Sequence, residues 1–409
     1  GRGAYGGVPA DLFGSYDPVA RGFVYLAPLV HADAPTLTTS IYLQNAAADA
    51  ECATVEVELV PPRTDCPDGA ADGEGDPACR LRLEVAPGSS ATVDVAADMP
   101  GCLGAGGAVP RGAARITSSR PLAVMLDSAG PDALTTYVAE PAWMEPPLAE
   151  TAYDTRELAA FAPLAYAGVE AAAGTPGWNT RVHVMSQGPK AALVRLELFD
   201  LDGNPRKRLD EWVCPGTSAA IDLGSIADLP DGWMGMARLR SMERSLGVSG
   251  PEEVPSIVAV AESLRLAADG TPSEAHAYNL LPESRAFEWP EGHSRGGLDS
   301  GIGLIAVPRL ELGSGNRPDG SRMAVANTVP GAGLTQYVVQ VYDRNGLYDF
   351  WCRAAHGNET DYLDLWDLGL GRGRAVSAVV SAVYWQHASA AVDPAAPPRS
   401  LLGLAAVSV

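Results

Sequence analysis

The chain has 409 residues, 50 acidic against 29 basic, a formal net charge of -21 and a pI near 4.6. With 46% hydrophobic residues it can fill packed cores, and its acidity repels nucleic acid and anionic membrane surfaces, so neither is an expected partner. No apolar run reaches the roughly 18 residues of a spanning helix, so no transmembrane segment is expected.

Residues 1–22 are Gly-rich, with Tyr5, Leu12, Phe13 and Tyr16 spaced along them. They contain no basic and apolar signal-peptide pattern and read as an N-terminal arm: either a frayed end or an extended segment that adds a strand to a neighbouring subunit.

From residue 23 the chain repeats itself at a spacing of about 135 to 145 residues, a domain period. The units open with APLVHADAPTLTTSIYLQN, APLAYAGVEAAAGTPGWNTRVHVMSQG and AVPRLELGSGNRPDGSRMAVANTV, each followed by an alternating strand: ATVEVELV, ALVRLELF and TQYVVQVYD. Downstream, APGSSATVDVAADMPG, CPGTSAAIDLGSIADLPDG and HGNETDYLDLWDLGLG correspond, and TTYVAEPA, EAHAYNLL and LLGLAAVSV are expected to close the three units. The alternation Leu193, Arg195, Glu197 against Val194, Leu196, Leu198 is that of a half-buried strand. Asp202-Gly203 and Asn345-Gly346 after these strands predict tight hairpins. Arg156–Ala162 is the nearest approach to an amphipathic helix. The expected fold is all-β: an arm at 1–22 and antiparallel β-sandwiches at 23–148, 149–289 and 290–409.

The second unit carries Trp178, Asn179, Asp200, Gly203, Pro215, Gly216, Pro230, Gly232, Trp233, Gly235, Tyr278 and Asn279 at regular stations. In this order they resemble the tandem β-sandwich repeats of large secreted bacterial surface proteins. The resemblance is strong in the middle unit and weaker at both ends, where the first unit lacks the tryptophans and the third lacks Ala-Tyr-Asn. It implies Ig-like domains, an extracellular or cell-surface location and no catalytic residues.

Six cysteines fit an exported chain. Cys66 and Cys79 flank an acidic loop that a bridge would close, and Cys52 and Cys102 are candidates for a second bridge. Cys214 and Cys352 are expected to bridge each other, cross-link subunits or stay buried. Asp68, Asp72, Glu74 and Asp76 have the spacing to converge on a hard cation, but the order and bidentate Glu of a calcium loop are missing. A solvated acidic loop is therefore expected ahead of a structural Ca²⁺ site, and no other cofactor. Asn358-Glu359-Thr360 is a glycosylation sequon. Trp351, Trp366, Tyr384 and Trp385 crowd the third unit, as core residues or as a sugar-stacking platform. The histidines lack metal-ligand spacing and read as structural; nucleophile elbows and phosphate loops are absent. The expected role is a non-enzymatic structural protein that assembles with copies of itself into a filament, sheath or surface layer, with an adhesin or glycan-binding protein as the alternative.

Overall fold

The computed structural model describes residues 21–33, 36–47, 51–62, 79–103, 111–141, 159–170, 177–186, 191–214, 216–242, 257–282, 304–311, 322–328, 334–364, 375–386 and 404–408. They form an all-β, antiparallel fold whose helical elements, among the described residues, are single short turns at Val95–Asp98 and Leu223–Ser225. No helix there is long and apolar enough to cross a membrane.

The first block contains β1 (Phe23–Asp33), β2 (Leu37–Asn45), β3 (Ala53–Val60), β4 (Arg80–Val85), β5 (Ser90–Asp94), β6 (Arg111–Ser118), β7 (Leu122–Ala129), β8 (Leu134–Val138) and β9 (Glu140–Pro141). They form a nine-stranded sheet in the order β4-β3-β6-β1-β2-β7-β8, with β5 on β2 and β9 on β1. The second block contains β10 (Ala159–Val169), β11 (Trp178–Ser186), β12 (Ala192–Asp200), β13 (Pro205–Val213), β14 (Ser218–Asp222), β15 (Trp233–Ser241), β16 (Ile257–Leu266), β17 (Pro272–Asn279) and β18 (Leu281–Pro282). Its order, β13-β12-β15-β10-β11-β16-β17 with β14 on β11 and β18 on β10, is the same topology.

In each block the sheet folds over itself around one core. Tyr25, Leu29, Ile41, Val57, Ile116 and Leu126 meet inside the first block, and Val182, Val194, Leu196, Leu198, Leu239 and Ala261 inside the second. Alternate residues supply these cores, as a pleated strand requires, and the architecture is sandwich-like.

A proline sits at a ladder slip in both β1 and β10. The pairing of β1 with β6 slips between Ala27 and Val30, and that of β10 with β15 between Ala162 and Ala165, so Pro28-Leu29 and Pro163-Leu164 form bulges. Proline is tolerated there because a bulged residue need not donate to the ladder. Past the bulge each strand resumes its first ladder, to His31 opposite Arg111 and Ala167 opposite Trp233, and at its far end also takes a second partner: Ala32 opposite Thr38, and Ala167 opposite Asn179. The bend is pinned by a threonine. Thr39 Oγ1 accepts from His31 N at 2.8 Å and meets Ser128 Oγ at 2.7 Å; Thr180 Oγ1 repeats both contacts with Tyr166 N and Ser263 Oγ at the same distances.

The third block contains β19 (Leu304–Glu311), β20 (Arg322–Asn327), β21 (Leu334–Asp343), β22 (Gly346–His356), β23 (Thr360–Asp364), β24 (Ala375–Gln386) and β25 (Leu404–Ser408), in sheets β19-β24-β21-β22 and β23-β20-β25. Pairing of β19 with β24 slips between Val307 and Leu310, putting Pro308 at a third bulge.

Two expectations need correction. Of Arg156–Ala162, residues 156–158 lie outside the described residues and Ala159–Ala162 open strand β10, paired with Ala237–Arg240 of β15; Pro163 sits where a helix would need its backbone donor. LLGLAAVSV does not occupy the closing-strand position of β8 and β17. Its strand β25 pairs with β20 as β7 pairs with β2 and β16 with β11.

The two predicted hairpins are present: Gly203 and Gly346 have φ of 79° and 117°, a region glycine enters without steric cost.

Candidate functional site: the faces where the blocks dock

Most sequence-chosen residues fall in two groups. Tyr5, Leu12, Phe13, Tyr16, Cys66, Asp68, Asp72, Glu74 and Asp76 lie outside the described residues. The expected cysteine bridges are corrected: Cys52 is an exposed thiol ahead of β3, and Cys79 is a buried thiol. Cys79 packs against the first core, its Sγ donating to Cys102 O at 3.6 Å, so neither forms the bridge the spacing suggested. Cys214 is disulfide-bonded, but Cys352 is not its partner, being an exposed thiol on β22. Asn358 sits at positive φ in the turn before β23, half-buried beside the Gly203 hairpin of the second block, with its Oδ1 enclosed. Of the third-block aromatics, Trp351 is half-buried on β22, whose neighbours Leu347, Tyr348 and Phe350 are exposed.

What the structure brings together lies between blocks. Three hydrogen bonds give a common register: the amide of Asn45, Ser186 or Asn327 donates to the residue just before β5, β14 or β23. Counting back from these residues aligns Gln44, Met185 and Ala326, and likewise Tyr42, His183 and Ala324. On the opposing side the bulge prolines align Leu26 with Phe161 and His31 with Tyr166. The ladder partners Arg115 of Leu26 and Arg238 of Phe161 then align Ala113 with Met236.

At the first junction Val24, Leu26 and Ala113 pack on Met185 and Val258. At the second, Phe161, Phe199 and Met236 pack on Ala326. The same positions meet both times, with the volumes exchanged: Leu26 and Ala113 against Met185, Phe161 and Met236 against Ala326. Close packing requires such complementarity, since an overlarge pair would clash and an undersized one would leave a void.

The polar centre differs. At the first junction His31 Nε2 is 2.7 Å from Glu262 Oε1, and His183 Nε2 is 3.3 Å from Oε2 of the same carboxylate. All three are buried, with exposures of 1%, 4% and 0%. Burial opposes ionisation of Glu262, but the charge of His31 and the hydrogen bonds from both imidazoles outweigh it and hold the carboxyl well below the usual range. Burial pushes the His183 imidazole down against its bond to Glu262. Tyr137 and Arg111 also act electrostatically within this cluster. At the second junction Tyr166 and Ala324 replace His31 and His183 in an apolar cluster with Leu164 and Trp178.

Around these centres the backbones are tied. Asn279 donates through Nδ2 to Val138 O at 2.7 Å and to Glu140 Oε1 at 3.1 Å, and its Oδ1 accepts from Val138 N at 3.1 Å. Its neighbour Tyr278 instead bonds Leu164 O of its own block, as Tyr137 bonds Leu29 O. At the second junction Thr360 N donates to Leu201 O at 3.0 Å, and Arg322 pairs with Glu170 at 3.2 Å.

An open cleft of about 250 Å³ is lined by Asn179, Arg181, Asp222, Leu264 and Leu266. Its charges satisfy each other: Arg181 Nε donates to Asp222 Oδ2 at 2.8 Å.

The pairing of Asn279 with the preceding block was not legible in the sequence; the one signal for the buried cluster was a lone glutamate inside the apolar run IVAVAESL. No protein-family model matches the chain, and no curated protein matches it by sequence.

Proposed function

We propose that each block is one Ig-like β-sandwich domain, with boundaries near 23–148, 149–289 and 290–409, and that the chain is an extracellular structural protein: a subunit of a filament, sheath or surface layer. The observation that supports this most is the repeated junction. The same positions dock the first block on the second and the second on the third, which is the arrangement of a heterologous, head-to-tail contact that adds units in one direction. The buried His31–Glu262–His183 cluster serves this role as a clasp: it is sealed from water, and each imidazole already has its acceptor. Electron microscopy of the purified full-length chain and of native cell-surface material tests the proposal. Regular fibres or lattices are expected; dispersed monomers from both sources would overturn it.

One observation favours the second reading, a glycan-binding adhesin. Edge strand β22 exposes Tyr348 at 40% and Phe350 at 57%; the corresponding edge β13 exposes one aromatic, Trp212, at 46% and carries Arg206 and Lys207, and β4 carries Arg80 and Arg82. Exposed aromatic faces suit sugar stacking, and charged edges discourage strand pairing. Binding on a glycan array that a Phe350→Ala exchange abolishes would establish this reading.

A further inference from the structure

We infer that the outward face of β2 and β7 in the first block is a docking surface for the third block of a second copy of this chain. This inference rests on the structural reading above and names its partner surface.

The face is defined by what covers its counterparts. In the second block the positions Met185, His183, Val258, Val260, Glu262 and Leu264 are all buried, because the first block lies on them. In the third block Ala324 and Ala326 are fully buried beneath the second. The same positions in the first block are Gln44 and Tyr42 on β2, and Ala123, Met125, Asp127 and Ala129 on β7. Gln44 and Ala129 are exposed, Ala123 and Met125 half-exposed, and Tyr42 is 36% exposed, among the few large exposed hydrophobics of the described residues; Asp127 alone of the six is buried, at 6%, its Oδ1 accepting from Thr136 Oγ1 at 2.8 Å. Two internal junctions therefore use a face that the first block presents open.

The complementary face follows from the ladders. Leu26 lies opposite Arg115, Phe161 opposite Arg238 and Ala306 opposite Val379. The third-block position equivalent to Ala113 and Met236 is thus Ser377. On β24 Val376, Ala378 and Val380 are buried, while Ser377 and Val379 face outward and are half-exposed.

Chemistry distinguishes this pair from the internal ones. Where Ala113 meets Met185 and Met236 meets Ala326, the third contact would set Ser377 against Gln44. A surface that stays in water until a second chain arrives cannot be as apolar as one covered during folding, and Ser and Gln can hydrogen-bond to water or to each other. Tyr42 then supplies the apolar contact, with its hydroxyl able to stay wet. Because donor and acceptor faces differ, the contact does not close on itself and chains add end to end.

The test is sedimentation velocity of the full-length chain over roughly 1 to 100 µM, a range that spans weak specific association. The proteins compared are wild type, Tyr42→Arg, Ser377→Arg and a 1:1 mixture of the two variants. Each exchange is at a surface position, and circular dichroism checks that the strand signal is kept. Wild type is expected to form a concentration-dependent series of oligomers and each variant to stay monomeric. The mixture is expected to stop at dimers, since each variant contributes its one intact face, with at least a tenfold loss of association for either variant alone. Oligomers of Tyr42→Arg indistinguishable from wild type would overturn the assigned face while leaving the structural role in place. A wild type that stays monomeric throughout, without polymers by electron microscopy, would overturn both. Mixed variants that remain monomeric would show that the two faces do not meet.

Discussion

Replacing Glu262 by alanine removes the shared acceptor of His31 and His183 inside the first junction. The two imidazoles sit at 1% and 4% exposure, so water cannot take over. Leaving a buried polar group unpaired costs about 1–3 kcal/mol, and breaking a buried charged pair by removing one member costs about 3–5 kcal/mol. The expected loss for Glu262→Ala is thus about 4 kcal/mol. At about 2–4 °C per kcal/mol for a unit of this size, the melting transition that includes the first two blocks should fall by roughly 10 °C in calorimetry. Glu262→Gln keeps the shape and one acceptor oxygen and should lose about half as much. The second junction supplies an internal control, since it makes the same contact with Tyr166 and Ala324 in place of the histidines. The triple exchange His31→Tyr, His183→Ala, Glu262→Val should therefore be far less damaging than Glu262→Ala alone, in line with apolar replacement of buried ion pairs. A Glu262→Ala protein that melts within 2 °C of wild type, or a triple variant worse than the single one, would refute the reasoning.

The remaining predictions concern acid, packing and close backbone approach. His276 Nε2 is enclosed among Tyr166, Trp178 and Tyr278, and burial pushes its pKa down to about 4. His183 is lowered as well, so the unfolded chain takes up protons that the folded one refuses. Stability present above the unfolded value of about 6.5 should be lost as pH falls toward 4, by on the order of 2–3 kcal/mol for His276. Glu262, held low, adds its loss only as pH drops below about 4.3, and urea titrations at stepped pH would resolve these windows. Phe161→Ala should cost about 3–5 kcal/mol, and adding Ala326→Met across the junction should recover part of it in thermal melts. Gly235→Ala would put a Cβ 1.9 Å from Phe199 O, so this protein should lose at least 2 kcal/mol or fail to accumulate in soluble form; a melt like wild type would contradict the described β12–β15 pairing.

Strand existence was legible because period-2 alternation is a local property: Leu193 to Leu198 shows it in the letters and again in the burial of Val194, Leu196 and Leu198. The Asp202-Gly203 and Asn345-Gly346 turns were legible for the same reason. Partner choice was not. The alternation in LLGLAAVSV fits an edge strand as well as a central one, and only the ladder assigns β25 to β20. The repeat displayed Pro28, Pro163 and Pro308 in register, yet nothing in a proline alone says that a ladder slips there. The cysteine spacing was misleading because loop closure is not the only use of a thiol, and Cys79 is spent on packing. The junctions were hidden most deeply. Ala324 and Ala326 look like ordinary strand alanines until Phe161, Tyr166 and Met236 are seen to need the space, and Glu262 finds its histidines in two different blocks.

The proposed docking operation, used between blocks within the chain, continues between chains. Cryo-electron microscopy of the assembled protein measures it directly. The rotation and rise from a third block to the next chain's first block should match those between consecutive blocks of one chain, with Tyr42 and Gln44 facing β24. Assemblies built through other faces, or with an unrelated step between chains, would contradict it.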